Sequence, residues 1–374
     1  MTRAIYAAFD VFPRAKGSSS HIASMVRALR GVCDQVNVFC LGSPGLPAHQ
    51  HAGGITIHRL PPRYPGLLAR ATAFAQFVQH HAAAGAELLV FRDPWGGAPL
   101  LRALPGVPAI FEVNALPSWE LAYSRPSYAA NPALQAKVGD LERFCLKQVR
   151  EILCVSSVTA QALGRSNITV IPNGAADHFF SPDPDDAPAP CPIPELNSGR
   201  WFGYVGGFQR WQGVEPFLEA YRHLAPDVPD IRLVLLSEGR PPRKLPERVL
   251  FAGPVAHGVL PAVLRRLEFT VAPLLETARN TVQGCCPVKM VESMAAGVPV
   301  MASNLAVCRE WLQDGSEGLL VEPGDRRAWI KALYNTITSP QPWGPAARRR
   351  AQRDFSYPHV HRQLQSVFRR VLWN

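Results

Sequence analysis

The chain has 374 residues, 47% hydrophobic and 18% charged, which excludes a disordered chain and favours two domains of ~150–180 residues over one core. The formal net charge of +10 points either to an anionic partner or to a basic surface that keeps the protein soluble. The eight cysteines form no CxxC pair and read as reduced thiols of a cytoplasmic protein, and no stretch reaches the ~20 apolar residues of a membrane span.

The first residues run straight into a strand, which leaves no room for a signal peptide. Short apolar runs rich in branched residues predict parallel strands at 3–9, 35–40, 55–60, 87–91, 109–113, 151–155 and 168–171. After the first strand, Gly17, Ser18 and Ser19 precede a helix whose apolar face is Ile22, Met25, Val26 and Leu29. A serine N-cap there would leave backbone N–H groups pointing at an oxygen-rich ligand, so the loop reads either as an acceptor or phosphate loop or as an ordinary cap. His21, beside it, is a catalytic candidate or a surface histidine. The segment 63–82 carries a broad apolar face, which reads as core packing before it reads as a contact with a lipid surface. Glu112 and Asn114 stand at the tip of the strand at 109–113; a carboxylate in a buried strand needs partners, and Asn114 either bonds a sugar or closes a turn.

A Pro- and Asp-rich stretch at 179–199 reads as a linker between an N-terminal domain, 1–178, and a C-terminal domain, 200–354, with a final helix at 355–374. Strands are predicted in the second domain at 201–205, 231–236, 249–252, 269–272, 298–301 and 318–321. Two such series imply two doubly wound parallel sheets, whose ligands bind beyond the carboxyl ends of the strands.

Residues 279–303 carry the clearest chemistry. Gly284-Cys285-Cys286 reads as a tight turn, and Pro287 suits the first position of a helix, where its missing N–H costs nothing. Val288, Val291, Met294 and Ala295 make the buried stripe. Lys289 and Glu292 share the opposite face near the positive end of the helix. A lysine beside free backbone N–H groups suits a diphosphate, and a carboxylate one turn on suits a ribose diol. An exposed ion pair is the plainer reading of those two residues. No histidine set has zinc spacing, and the arginines at 348–353 come with no zinc-finger or RNP signature, so no metal and no nucleic acid are expected.

This segment resembles the donor-binding stretch of the retaining glycosyltransferase family 4, whose members share the GT-B architecture. Glu292-Ser293-Met294-Ala295-Ala296-Gly297-Val298-Pro299-Val300 matches the family's second glutamate and its following tract. Pro287, Lys289 and Glu292 fit a Pro-x-Lys-x-x-Glu variant, while the family's first glutamate would fall on Gly284. Glu276, Gln283 or the backbone of Cys285 and Cys286 are the groups left to replace it. Gly203-Tyr204-Val205-Gly206-Gly207 resembles the glycine loop of the donor domain. Gly207 and Gln212 stand where relatives carry basic residues, and Arg210 is the nearby cation. Ile171-Pro172-Asn173-Gly174 and Phe355-Ser356-Tyr357 extend the likeness over nearly the whole chain.

The resemblance implies an α/β GT-B protein, two Rossmann-like domains facing across a cleft. It implies a glycosyltransferase that uses a nucleotide-sugar donor as co-substrate, with retention and without a metal or other cofactor. Donor binding falls to Gly206, Gly207, Arg210, Gly284, Cys285, Cys286, Pro287, Val288, Lys289 and Glu292; catalysis falls to Asn114, Glu112, His21 and Lys289. The acceptor, a saccharide, a lipid-linked or a small molecule, stays open, as does a peripheral membrane contact. The alternatives are a binding protein on the same fold that has lost transfer, and a nucleotide-sugar epimerase.

Overall fold

The computed structural model describes residues 1–14, 17–82, 85–181, 190–242 and 244–373. The core of the expected linker, 182–189, lies outside the described residues. The chain divides into two compact units, Met1–Pro172 with Val360–Asn374, and Asn173–His359.

The N-terminal unit holds strands β1 (Arg3–Val11), β2 (Gln35–Leu41), β3 (His49–Ala52), β4 (Ile55–Leu60), β5 (Leu88–Phe91), β6 (Ala109–Val113), β7 (Glu151–Cys154) and β8 (Ile168–Val170). Its helices are α1 (Gly17–Arg30), α2 (Leu67–His81), α3 (Pro94–Ala103), α4 (Pro117–Ser124), α5 (Pro126–Ala129), α6 (Pro132–Gln148) and α7 (Ser157–Leu163). The sheet runs β3-β4-β2-β1-β5-β6-β7-β8, parallel except for the β3–β4 pair. The order therefore reverses between β1 and β5, the place where a doubly wound sheet opens its ligand crevice. Strands β5 to β7 are buried at every position, because helices cover both faces.

The sequence pattern missed β3. Its four residues, His-Gln-His-Ala, are all exposed and become a strand only by pairing antiparallel with β4. The apolar face of α2 goes into the core: Ala71, Ala73, Phe74 and Val78 are buried, and Phe77 packs against the same cluster.

The second unit holds β9 (Arg200–Val205), β10 (Ile231–Leu236), β11 (Val249–Gly253), β12 (Thr270–Ala272), β13 (Val300–Ser303) and β14 (Gly318–Val321). Its helices are α8 (Val214–Leu224), α9 (Leu260–Leu264), α10 (Val288–Ala295), α11 (Ala306–Arg309), α12 (Arg326–Thr338) and α13 (Trp343–Asp354). The order β11-β10-β9-β12-β13-β14 reverses between β9 and β12, and the pairs are parallel. Strand β13 starts two residues later than its apolar run suggests, because Gly297 takes a φ of +79° and Pro299 has no N–H to give a neighbour.

The basic run of α13 is largely engaged within this unit. Arg348 donates to the carbonyls of Ala295 and Phe180, and Arg350 pairs with Glu317 and Asp354. Arg353 pairs with Asp354 as well. That chemistry needs no outside anion.

The last helix, α14 (Tyr357–Trp373), returns to the first unit. Val360, Leu364, Val367, Phe368 and Val371 join the cluster of Tyr6, Ile22, Met25 and Leu29. His361 on this helix meets Ser24 Oγ at 2.8 Å. Phe368 is fully buried, so Phe368→Ala should lower the stability of the N-terminal unit by about 3–5 kcal/mol in denaturant unfolding. A change under about 1 kcal/mol would show that α14 does not complete that core.

Candidate functional site

Each unit gathers polar residues at the carboxyl edge of its sheet, beside the point where strand order reverses. In the first unit the centre is Glu112, near the end of β6 and 2% exposed. Tyr6 of β1 donates its hydroxyl to Glu112 Oε2 at 2.8 Å. His21 Nε2, from the first turns of α1, lies 2.5 Å from Oε1, and the Asn114 amide donates to the same oxygen. Arg92, directly after β5, brings its Nε to 3.9 Å from Oε1 and its NH1 to 4.0 Å from Asp10. Burial alone would push the Glu112 carboxyl up; His21, Arg92 and Tyr6 together outweigh it and hold the group below its ordinary value. Burial, and then Glu112, push the Tyr6 phenol well above its own ordinary value.

Asp93 sets the frame. It accepts from Phe9 N at 2.6 Å and caps α3 through Gly96 N at 2.9 Å. Burial pushes its carboxyl up to about 6, against the pull of those two N–H groups.

The structure thus brings His21, Glu112 and Asn114 together. It treats the serine loop differently from the expectation. Helix α1 already begins at Gly17, and the Ser19 hydroxyl accepts from Arg14 N at 2.8 Å, so it braces the loop. Only the Ser18 carbonyl reaches the cluster, accepting from Arg92 at 3.4 Å. Gly17 faces open space, so no close approach demands a glycine there.

In the second unit the centre is Lys289, half-buried in the first turn of α10. Its Nζ donates to Gln212 Oε1 at 2.6 Å and to the Tyr204 hydroxyl at 3.1 Å. It also lies 4.2 Å from the centre of the Tyr204 ring. Both oxygens are neutral. Burial pulls the ammonium down to about 7, against a smaller opposing pull from Cys285 and Cys308. Gly206, at a φ of +136°, gives this lysine room: a Cβ there would sit 2.8 Å from Nζ. Gly207 contributes its carbonyl, which accepts from the Tyr204 hydroxyl.

Several local expectations are corrected. Pro287 is the N-cap residue of α10, not its first helical residue; Val288 takes that position, and no side chain caps the turn. Gly284, Cys285 and Cys286 do not form a tight turn. Gly284 has φ +77° and ψ 168°, and it leads out of a π-helical turn at Arg279–Gln283 into an extended approach to the helix. The Cys286 carbonyl is held by Asn173 at 3.3 Å. None of the eight cysteines forms a disulfide. Val288 is only partly buried, and Met290 takes the deeper place.

Glu292 does not share an exposed face with Lys289. It is 8% exposed, because α10 is covered almost all round beyond its first turn, and its Oε1 lies 2.7 Å from His257 Nε2. Arg210 is exposed at the start of a 3-10 turn, Arg210–Gln212, with its guanidinium outside the bonds around Lys289. Of the groups offered in place of the missing glutamate, Glu276 is exposed and Gln283 is buried.

Tyr6, Arg92, Asp93 and His257 had no place in the expected site, Tyr204 stood only within the glycine loop, and Gln212 counted as a departure. One signal was available: polar residues directly after a buried strand, as in Arg92-Asp93 after β5, fall on the ligand edge of the sheet.

The fold has close solved counterparts. Sucrose-phosphate synthase from Thermosynechococcus elongatus superposes with a TM-score of 0.76 at 19% identity over 99% of each chain. HepE from Anabaena, solved with UDP and glucose, gives 0.73 at 16% over 98% of this chain and 99% of its own. At these identities the likeness establishes the fold, which is GT-B. Family profiles then match most of the sequence: "Glycosyltransferase Family 4" at residues 15–178 and "Glycosyl transferases group 1" at residues 199–339.

The chain belongs to glycosyltransferase family 4, and it is a glycosyltransferase. Among its relatives, the alpha-maltose-1-phosphate synthase of Mycolicibacterium smegmatis is 25% identical over 95% of both chains. The phosphatidyl-myo-inositol mannosyltransferase of the same organism is 26% identical over 95% of this chain and 90% of its own. No helix among the described residues is long and apolar enough to cross a membrane.

The Glu112 cluster yields a stability prediction. A carboxyl held low in the folded state contributes stability that is complete above its ordinary value of 4.5 and drains as pH falls through the depressed value. Glu112→Gln should therefore cost roughly 3–5 kcal/mol at neutral pH and flatten the loss of stability below about pH 4.5. Equal acid sensitivity in the variant and the parent would show that the charge on Glu112 is not what the cluster holds.

Proposed function

We propose that the second unit binds a nucleotide diphospho-hexose and that the first unit presents the acceptor side of the reaction. The observation that carries this reading is Lys289: a half-buried ammonium at a helix N-terminus, held by two neutral oxygens and, among the described residues, matched by no carboxylate. A diphosphate supplies the missing negative charge, and the uncapped N–H groups of the first turn of α10 point the same way. When the glycosidic bond breaks, charge grows on the departing diphosphate, and a fixed cation with aligned dipoles lowers that barrier. Lys289 therefore serves both binding and departure, with exposed Arg210 as a second cation. Gly206 and Gly207 let the backbone come close to the ligand, and Gly284, Cys285, Cys286, Pro287 and Val288 deliver the chain to it.

Glu292 takes the ribose hydroxyls through Oε2, since Oε1 is engaged by His257. His21, Glu112 and Asn114 form the acceptor-side set. His21 and Glu112, 2.5 Å apart, can share the proton that the acceptor hydroxyl gives up, and Asn114 orients the carboxylate. A hexose donor is favoured by the relatives, whose names describe maltose-1-phosphate synthesis and mannosyl transfer, and by HepE, solved with UDP-glucose. Retention is carried by kinship with the family. Transfer without a metal or resident cofactor is the simplest chemistry for a site that brings its own cation.

Lys289→Ala should weaken nucleoside diphosphate binding roughly 10–100-fold in calorimetry while leaving the fold intact by circular dichroism. Unchanged affinity would remove Lys289 from the donor site. His21→Ala and Glu112→Gln should lower transfer at saturating donor by a factor of ~100 or more, with donor affinity kept, as loss of a general base does. Full turnover in both variants would leave the acceptor side without its assigned base.

A further inference from the structure

Glu292 does not stand alone. The segment 254–259 joins β11 to α9, and from it His257 reaches α10 and meets Glu292 Oε1 at 2.7 Å. The imidazole is itself held. Phe179 packs against it at a ring distance of 5.0 Å, and His178 meets it edge-on at 5.1 Å. His178 Nε2 also contacts the His257 carbonyl at 3.2 Å. The His257 side chain keeps 34% of its surface exposed and Glu292 11%, so the pair borders solvent on the histidine side.

A carboxylate on a helix has a free χ3 rotation, and an oxygen fixed by a donor removes it. Glu292 Oε2, by contrast, takes no hydrogen bond among the described residues. One oxygen is thus pinned and the other is left to accept, which is the arrangement a diol-reading carboxylate needs.

The geometry points to His257 as a positioning residue for ribose recognition: it orients Glu292 so that the site distinguishes a ribonucleotide from its 2′-deoxy form. This rests on the proposed donor site, with Glu292 on the ribose. His257 touches Glu292 and acts through it. A purely structural histidine would, on removal, weaken every nucleotide alike; a positioning histidine would weaken the ribo form more, because the deoxy form lacks the 2′ hydroxyl and leaves Oε2 only the 3′ hydroxyl to hold.

The test is calorimetry with UDP, GDP and ADP, each beside its 2′-deoxy counterpart, on the full chain and on His257→Ala, His257→Gln and Glu292→Gln. The parent should prefer the ribo form of its best nucleotide by roughly tenfold or more, one charge-assisted hydrogen bond. His257→Ala should remove most of that preference by weakening the ribo form much more than the deoxy form. His257→Gln, whose amide can still donate to Oε1, should restore it. If His257→Ala lowers both forms equally, or neither, while Glu292→Gln erases the preference, the role of His257 is overturned and the ribose site stands. If the parent shows no preference, or Glu292→Gln leaves it intact, the ribose assignment of Glu292 falls and this inference falls with it.

Discussion

The structure depends on how it treats charge taken out of water at the carboxyl edges of two parallel sheets. Lys289 is the exposed end of that problem. An ammonium half-buried at the start of a helix feels the positive end of the helix dipole as well as the loss of solvent. The chain answers with a phenol, an amide oxygen and an aromatic face, all neutral. Burial accordingly pulls the group down to about 7, far from an ordinary lysine. Such an arrangement stabilises little by itself and becomes favourable when an anion arrives.

Glu112 shows the opposite solution. It is buried more deeply, yet a histidine, an arginine, a phenol and an amide converge on it. Its charge is matched within its own unit, and the group is held low. One unit carries a satisfied carboxylate whose histidine can take a proton, and the other carries an unsatisfied cation. The proposed transfer uses that asymmetry: a base for the incoming hydroxyl and an electrophilic hold on the departing diphosphate.

Much of this was legible in the sequence because buried parallel strands announce themselves as unbroken branched runs, and all the parallel strands were found within a residue or two. Strand β3 was not, since His49–Ala52 is polar and exposed and is defined by its partner alone. The site was legible where it is local. Lys289 and Glu292 stand on one helix, and a carboxylate at 112 in a buried strand demanded an explanation. Their partners were not legible, because they arrive from elsewhere: Tyr204 lies 85 residues from Lys289, Gln212 77, and His257 35 residues from Glu292. Gln212 is instructive. Read along the chain it is the loss of a lysine; in space it is the oxygen that holds the remaining one. Pro287 and the two cysteines were misplaced by a residue or a turn because the preceding π-helical turn has no sequence period of its own.

The central claim is that the Lys289 ammonium, held by neutral oxygens and pulled down by burial, is the group that a bound diphosphate completes and raises again. Calorimetry of nucleoside diphosphate binding at about pH 8, repeated in buffers of different ionisation enthalpy, counts the proton that this rise takes up. A lysine held at about 7 in the free protein and raised by the bound anion predicts uptake of most of one proton per nucleotide, absent in Lys289→Met. Binding enthalpies that do not vary with the buffer would contradict the account.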